Sequence, residues 1–273
     1  MNVLAQQRVS GVAAHIEGAG PDFVLFHGGF GSWTHWIRNV GPLAAHFRVT
    51  AFDLPGYGES PDVPKDMTPE QYIAWVADIV TAAAPGRFHL AGFSFGGSLV
   101  GRVARLLDSR IEKISLLGPG GFGVPTGRVI PVTKLPGRDA NADLRHRIVA
   151  SNLGEWMLSS APPATDPVVD IQLANIDRTR FDSRRISLRA TLVEDLAHIT
   201  APVHLIWGEG DKLAYPSIQS RLDECRAVRK DLRVTVVPRG GHWIQYEQAD
   251  AVNNLLLDFH APERVEMLAD RKQ

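Results

Sequence analysis

Apolar positions fall into two alternating rhythms over the first 118 residues. Largely apolar runs at 23–26, 48–52, 88–91 and 111–117 are short and rich in Phe, Val, Ile and Leu, the pattern of buried strands. Between the second and third runs, Tyr72, Trp75, Val76, Ile79 and Val80 recur at steps of three and one. That spacing keeps one face apolar and predicts a helix over 69–84, with Thr68 as its N-cap and Pro69 opening it. Strands separated by helical stretches imply a parallel sheet with helical crossovers, the α/β class. Similar short runs return at 202–207 and 233–237, followed by a helical stretch over 247–260, and read as further strands of the same sheet.

The middle of the chain breaks this rhythm. Pro and Gly punctuate 119–137, and helical patterns then cover 142–158, 167–179 and 186–198. We expect a core built from 1–118 and 201–273, with 119–200 a helical cap inserted over the sheet's edge.

Composition narrows the function without naming it. The 273 residues are 44% hydrophobic and 22% charged, as in ordinary globular proteins. Lys and Arg total 29 against 30 for Asp and Glu, a net charge of -1, which gives no electrostatic footprint for nucleic acid or an anionic membrane. A lone Cys225 cannot form an internal disulfide. Residues 1–20 lack a basic start followed by a long apolar stretch, and no run approaches a membrane span. The expectation is a cytoplasmic protein that acts on a small molecule.

The chemistry concentrates where the third run ends, in Gly92-Phe93-Ser94-Phe95-Gly96. An apolar strand enters this Gly-x-Ser-x-Gly turn and a helical pattern leaves it. The small residues permit a sharp turn that holds Ser94 exposed at the sheet's carboxyl edge. The helix start also directs backbone amides and positive dipole toward any developing oxyanion.

Two other motifs follow neighbouring strands in matching order: His27-Gly28-Gly29-Phe30-Gly31, and Asp53-Leu54-Pro55-Gly56-Tyr57-Gly58-Glu59-Ser60. Together with the serine turn, they make the chain resemble the α/β-hydrolase superfamily over nearly its whole length. The resemblance implies an eight-stranded, mostly parallel sheet with helices on both faces, its first strands within 8–17 antiparallel. It also implies that the amides of Gly29 and Phe95 form an oxyanion hole flanked by Phe30.

A serine nucleophile needs a base and a group that orients the base. Among ten histidines, His242 lies in the loop after the last expected strand, at the same edge as Ser94. Asp211 follows the preceding strand and gives the order Ser, Asp, His; Glu209 competes by position, and the resemblance favours Asp211. His27 reads as a support for its glycine loop, and Asp53 as a holder of the Pro55-Gly56 turn. No metal or organic cofactor is required.

Around His242, residues 240–250 are similar to the corresponding stretch of meta-cleavage product hydrolases, which split carbon–carbon bonds in ring-opened dienoates; Trp243 matches that branch. The branch usually carries Asn before the nucleophile, where this chain has Phe93. It also grips the substrate carboxylate with an insertion arginine, for which Arg178, Arg180, Arg184 and Arg185 are positional candidates; arginines at such spacing also suit a solvated helix face. Phe30, Phe93 and Trp243 are expected to line an apolar pocket. The sequence therefore favours a serine hydrolase for a small or medium, largely apolar ester. Carbon–carbon hydrolysis is the alternative, and a non-catalytic binder on the same scaffold is a third reading.

Overall fold

The protein is described by a computed structural model over residues 7–125 and 130–261. The first six and last twelve positions of the expected core, and 126–129 of the expected insertion, lie outside the described residues. In chain order the elements are β1 (Gln7–Val9), β2 (Val12–Glu17), β3 (Asp22–Phe26), α1 (Val40–Ala44), β4 (Arg48–Phe52), α2 (Pro69–Ala83), β5 (Phe88–Phe93), α3 (Phe95–Leu107) and β6 (Ile111–Leu117). There follow α4 (Ala142–Trp156), α5 (Pro167–Asp177), α6 (Arg184–Ser187), α7 (Leu192–His198), β7 (Val203–Gly208), α8 (Ile218–Val228), β8 (Arg233–Val237), α9 (Ile244–Glu247) and α10 (Ala249–His260).

The strands form one eight-stranded sheet in the order β1-β2-β4-β3-β5-β6-β7-β8. β1 and β2 are antiparallel to their neighbours, and the rest run parallel. Alternation along each strand divides the core between two faces. Val24 and Phe26 face α2, α3, α7 and α8. Phe23 and Leu25 face α1 and α10. α2 begins as its sequence suggests, and more firmly: Thr68 and Gln71 cap each other's backbone in a reciprocal box ahead of Pro69.

One expected helix is broken. The pattern over 186–198 divides into α6 and α7 because Ala190 bridges Phe122, while the Thr191 and Leu192 amides donate to the Gly121 carbonyl. The helix expected over 247–260 is present as α10, starting two residues later, with the separate short α9 ahead of it. Within 119–200, α4 and α5 pack on each other, whereas α6 and α7 lie against α3. Among the described residues no helix is long and apolar enough to cross a membrane.

β3 and β5 are neighbours, yet β4 lies on the far side of β3. The chain order therefore reverses between them, and open α/β sheets place their ligand crevice beyond the carboxyl ends of the strands at such a reversal. The loops that leave β3 and β5 carry Gly28–Phe30 and Ser94.

Candidate active site

Ser94 joins β5 directly to α3 with φ 52° and ψ −114°, a left-handed conformation that a non-glycine residue adopts only when its surroundings enforce it. The Ser94 amide donates to the Leu117 carbonyl, and its own carbonyl accepts from Gly97, Ser98 and Gly120. Gly96 is pressed against the Phe26 and His27 carbonyls so closely that a side chain there would collide with backbone. The serine turn and the Gly28 loop are thus packed side by side.

After β7, Asp211 turns back toward the loop that follows β8. Its Oδ1 accepts from the Leu213 amide at 2.8 Å and its Oδ2 pairs with His242 Nδ1 at 2.9 Å. An ionised carboxylate only accepts, so Nδ1 carries the proton and Nε2 presents a lone pair. His242 Nε2 is buried and makes no hydrogen bond to any described residue. It faces the same cavity as Ser94, about 170 Å³ in volume. Glu209, the positional competitor, instead accepts from the Arg239 amide.

Gly118, absent from the sequence reading, stands beneath this pair with φ +46°. A Cβ at that position would lie 2.9 Å from Asp211 Oδ2 and 3.0 Å from His242 Nδ1, crowding both partners of their hydrogen bond. The glycine-dense Gly118-Pro119-Gly120-Gly121 after β6 was its only trace in the sequence.

His27 and Asp53 are placed as expected. His27 Nε2 accepts from the Leu54 amide at 3.0 Å, so Nδ1 donates to the Gly28 carbonyl at 2.7 Å. Asp53 accepts from the Trp33 and Glu59 amides, both at 2.9 Å, and so ties its turn to the Gly28 loop. Burial lowers the pKa of His27 to about 4 and that of His35 to about 3, which keeps both rings neutral near pH 7.

The aromatic residues are distributed differently from the expected lining. Phe93 is fully buried, its ring against Gly28 and 4.9 Å from the His242 ring centre. Trp243 is also buried, donating from Nε1 to the His35 carbonyl at 2.9 Å. Neither forms the wall around Ser94. Phe30, 43% exposed, opens a second, apolar cavity of about 260 Å³ between α4, α5 and 132–135. The wall beside Ser94 comes from Gly118–Phe122, Leu188, Trp207, Leu213, Ala214 and Arg221. Phe95 packs in the core against Tyr57 and Phe181, leaving only its backbone for the expected role.

The insertion arginines are engaged elsewhere. Arg178 pairs with Glu59, Arg180 with Asp62, Arg184 with Asp182 and Arg189 with Glu70, while Arg185 donates to the Met67 carbonyl. The cation in the cavity wall is Arg221 on α8, its guanidinium 4.6 Å from the Phe122 ring centre and 3.0 Å from Glu224.

Comparison with known proteins agrees with this architecture. A 2-hydroxy-6-oxo-6-phenylhexa-2,4-dienoate hydrolase from Burkholderia cepacia is 30% identical over 263 residues, covering 89% of each chain. A 2-hydroxy-6-oxononadienedioate/2-hydroxy-6-oxononatrienedioate hydrolase from Comamonas testosteroni is 28% identical over 266 residues, again 89% of each. Among solved structures, a meta-cleavage product hydrolase from Pseudomonas fluorescens superposes with a TM-score of 0.74 at 20% identity, over 93% of this chain and 96% of that one. A carboxylesterase from Bacillus subtilis gives 0.73 at 22% identity, over 94% and 92%. These likenesses between structures show the shared fold. The model of the alpha/beta hydrolase family matches residues 23–255, and the chain belongs to that family of hydrolytic enzymes.

Proposed function

We propose that the protein is a serine hydrolase that cleaves a small or medium, largely apolar ester in the cytoplasm, with no metal or organic cofactor. The observation that carries this reading is the Asp211–His242 pair, whose unpartnered Nε2 shares a cavity with the strained Ser94. Ser94 Oγ attacks the ester carbonyl as its proton passes to Nε2. The oxyanion is held by the Gly29 and Phe95 amides. The C–O bond then breaks and the alcohol leaves with the proton from His242. Water repeats the sequence on the acyl-enzyme and frees the acid. Asp211 fixes the tautomer and offsets the transient imidazolium charge.

A second reading is hydrolysis of a carbon–carbon bond in a 2-hydroxy-6-oxo-dienoate. The named activities of the sequence relatives favour it, as does Arg221, a cation in the cavity wall within reach of an anionic group. The outward engagement of Arg178, Arg180, Arg184 and Arg185 weighs against a carboxylate grip from the insertion. Phe93, buried against the loop that carries Gly29, supplies no polar group for an enol or carboxylate.

The test is kcat/KM for a chain-length series of aryl esters and for a 2-hydroxy-6-oxo-dienoate, with Ser94→Ala as the blank. The ester reading expects serine-dependent ester turnover at least a hundredfold above dienoate cleavage, about 2.7 kcal/mol of differential transition-state stabilisation. The opposite preference selects the second reading. Full activity in Ser94→Ala on either substrate ends both.

A further inference from the structure

We propose that Gln172, on insertion helix α5, is a positioning residue that holds the Gly28–Phe30 turn in its oxyanion-binding shape by way of His35, so that seating of the insertion sets reactivity at Ser94. The inference rests on the serine-hydrolase reading and adds to it a device that none of the motifs contains.

The turn is held at three points. His27 takes the Gly28 carbonyl. In a trans peptide the N–H points opposite to the C=O, so this bond turns the Gly29 amide away from His27. The Gly28 amide donates to His35 Nδ1 at 3.2 Å. His35 Nδ1 is therefore the lone pair and Nε2 carries the proton, which faces Gln172 Oε1 at 3.4 Å. Gln172 Nε2 then donates to the Phe30 carbonyl at 3.1 Å. One imidazole and one carboxamide thus link the Gly28 amide to the Phe30 carbonyl across the Gly29 amide.

Three further observations point the same way. Phe30 sits at φ 50°, a conformation that needs support from outside the turn. Gln172 is 1% exposed, so its amide depends on these protein partners for most of its hydrogen bonding. Three residues further along α5, on the same face, Asn175 Oδ1 accepts from Ser32 Oγ at 2.7 Å and from Thr34 Oγ1 at 3.1 Å. α5 therefore grips the 28–34 segment at two points, and His35 connects it to the Gly28 amide. The neutrality of that ring matters: a protonated His35 has no lone pair for Gly28.

The experiment compares wild type, Gln172→Met and Gln172→Glu on a short aryl ester, alongside binding of a trifluoromethyl ketone that forms a tetrahedral oxyanion on the serine. Gln172→Met keeps the volume and removes the clamp. Its kcat should fall roughly tenfold, a fraction of the loss seen when an oxyanion donor is deleted outright. KM should stay within twofold, and ketone affinity should fall in the same ratio as kcat. Gln172→Glu has no donor for the Phe30 carbonyl while its carboxyl is ionised, and regains one when that carboxyl is protonated. Its kcat relative to wild type should therefore rise as pH falls, which a purely structural role does not produce.

Unchanged kcat and ketone affinity in Gln172→Met, with wild-type ester turnover intact, overturns the inference and leaves the hydrolase reading standing. A loss confined to KM overturns it as well. Absence of serine-dependent turnover in wild type defeats the hydrolase reading instead. Hydrogen exchange at the 28–31 amides then judges the clamp alone: faster exchange in Gln172→Met upholds it, and equal exchange overturns it.

Discussion

Histidines gather at both ends of this sheet, and the two groups behave differently for reasons that are visible in their neighbours. At the carboxyl end His242 has a carboxylate on one nitrogen and a cavity before the other. At the amino end His89, His204 and His260 are buried among Phe23, Phe47 and Phe259. Their hydrogen bonds are to each other and to hydroxyls: His260 to His89 at 3.1 Å and to Ser115 at 2.8 Å, His204 to Thr235 at 2.9 Å. Burial pushes His89 and His204 down to about 4 and His260 well below its ordinary value. A search for perturbed titration alone would select these three together with His27 and His35. What distinguishes a base is an orienting acid together with room for a substrate, and among these histidines His242 has both.

The largest expected effect separates the two groups directly. His242→Gln should reduce turnover about a thousandfold or more with little change in melting temperature. His260→Phe should leave kcat within about twofold and cost roughly 1–3 kcal/mol of stability, because Ser115 and His89 lose a buried partner. Steady-state kinetics and urea unfolding on the same two proteins check the pair. Equal kinetic losses would erase the distinction.

The next largest effect is acid lability. Histidines held neutral in the fold bind protons near pH 6.5 once unfolded, so the unfolded chain gains protons first as pH falls. Stability contributed by His89, His204, His260, His27 and His35 is thus fully present above about pH 6.5 and is lost as pH drops toward their folded values. His89, His204, His27 and His35 each contribute on the order of 1–2 kcal/mol between pH 6.5 and 5, and His260 adds in the same direction. Lys113 and Arg233 add to the depression, and Glu112 and Asp258 oppose it. Unfolding free energies at pH 7 and 5 measure the sum. A flat profile would mean that the lower histidines are not held neutral by their surroundings.

The contrast between the two ends also explains what the sequence could disclose. Strands 48–52 and 111–117 coincide with β4 and β6 because a buried strand writes its own apolar run, and 233–237 coincides with the edge strand β8, whose alternating valines mark it although it is mostly not buried. Ser94, Asp211 and His242 could be placed at one edge because each follows a strand of a parallel sheet, and that edge is common to all such loops. The break at 188–191 was hidden, since it depends on pairing with Gly121 and Phe122 nearly seventy positions earlier. Phe93 and Trp243 adjoin the serine and the histidine in sequence, but chain adjacency does not say which way a ring turns. Both turn into the core, and the cavity wall comes from residues after β6 and from α8. Gln172 and Arg221 carry no motif, because their neighbours are brought to them only by the packing of α5 and α8.

The smallest expected effect concerns the arginines and sharpens the same lesson that neighbours decide a role. Arg178→Ala and Arg184→Ala remove exposed pairs with Glu59 and Asp182. Solvent-exposed pairs of this kind contribute about 0–1 kcal/mol, so both variants should keep KM within about twofold for neutral and carboxylate-bearing esters alike. Arg221 shares the cavity with Ser94, and its side chain is mostly shielded from solvent. Arg221→Met should raise KM for an ester bearing a distal carboxylate roughly tenfold, about 1.4 kcal/mol, while leaving the neutral isostere unchanged. Michaelis constants for the two substrates across the three variants provide the check. If Arg178→Ala or Arg184→Ala shows the carboxylate-selective loss, the insertion must reorganise when substrate binds, swinging those guanidinium groups inward from the positions they hold against Glu59 and Asp182.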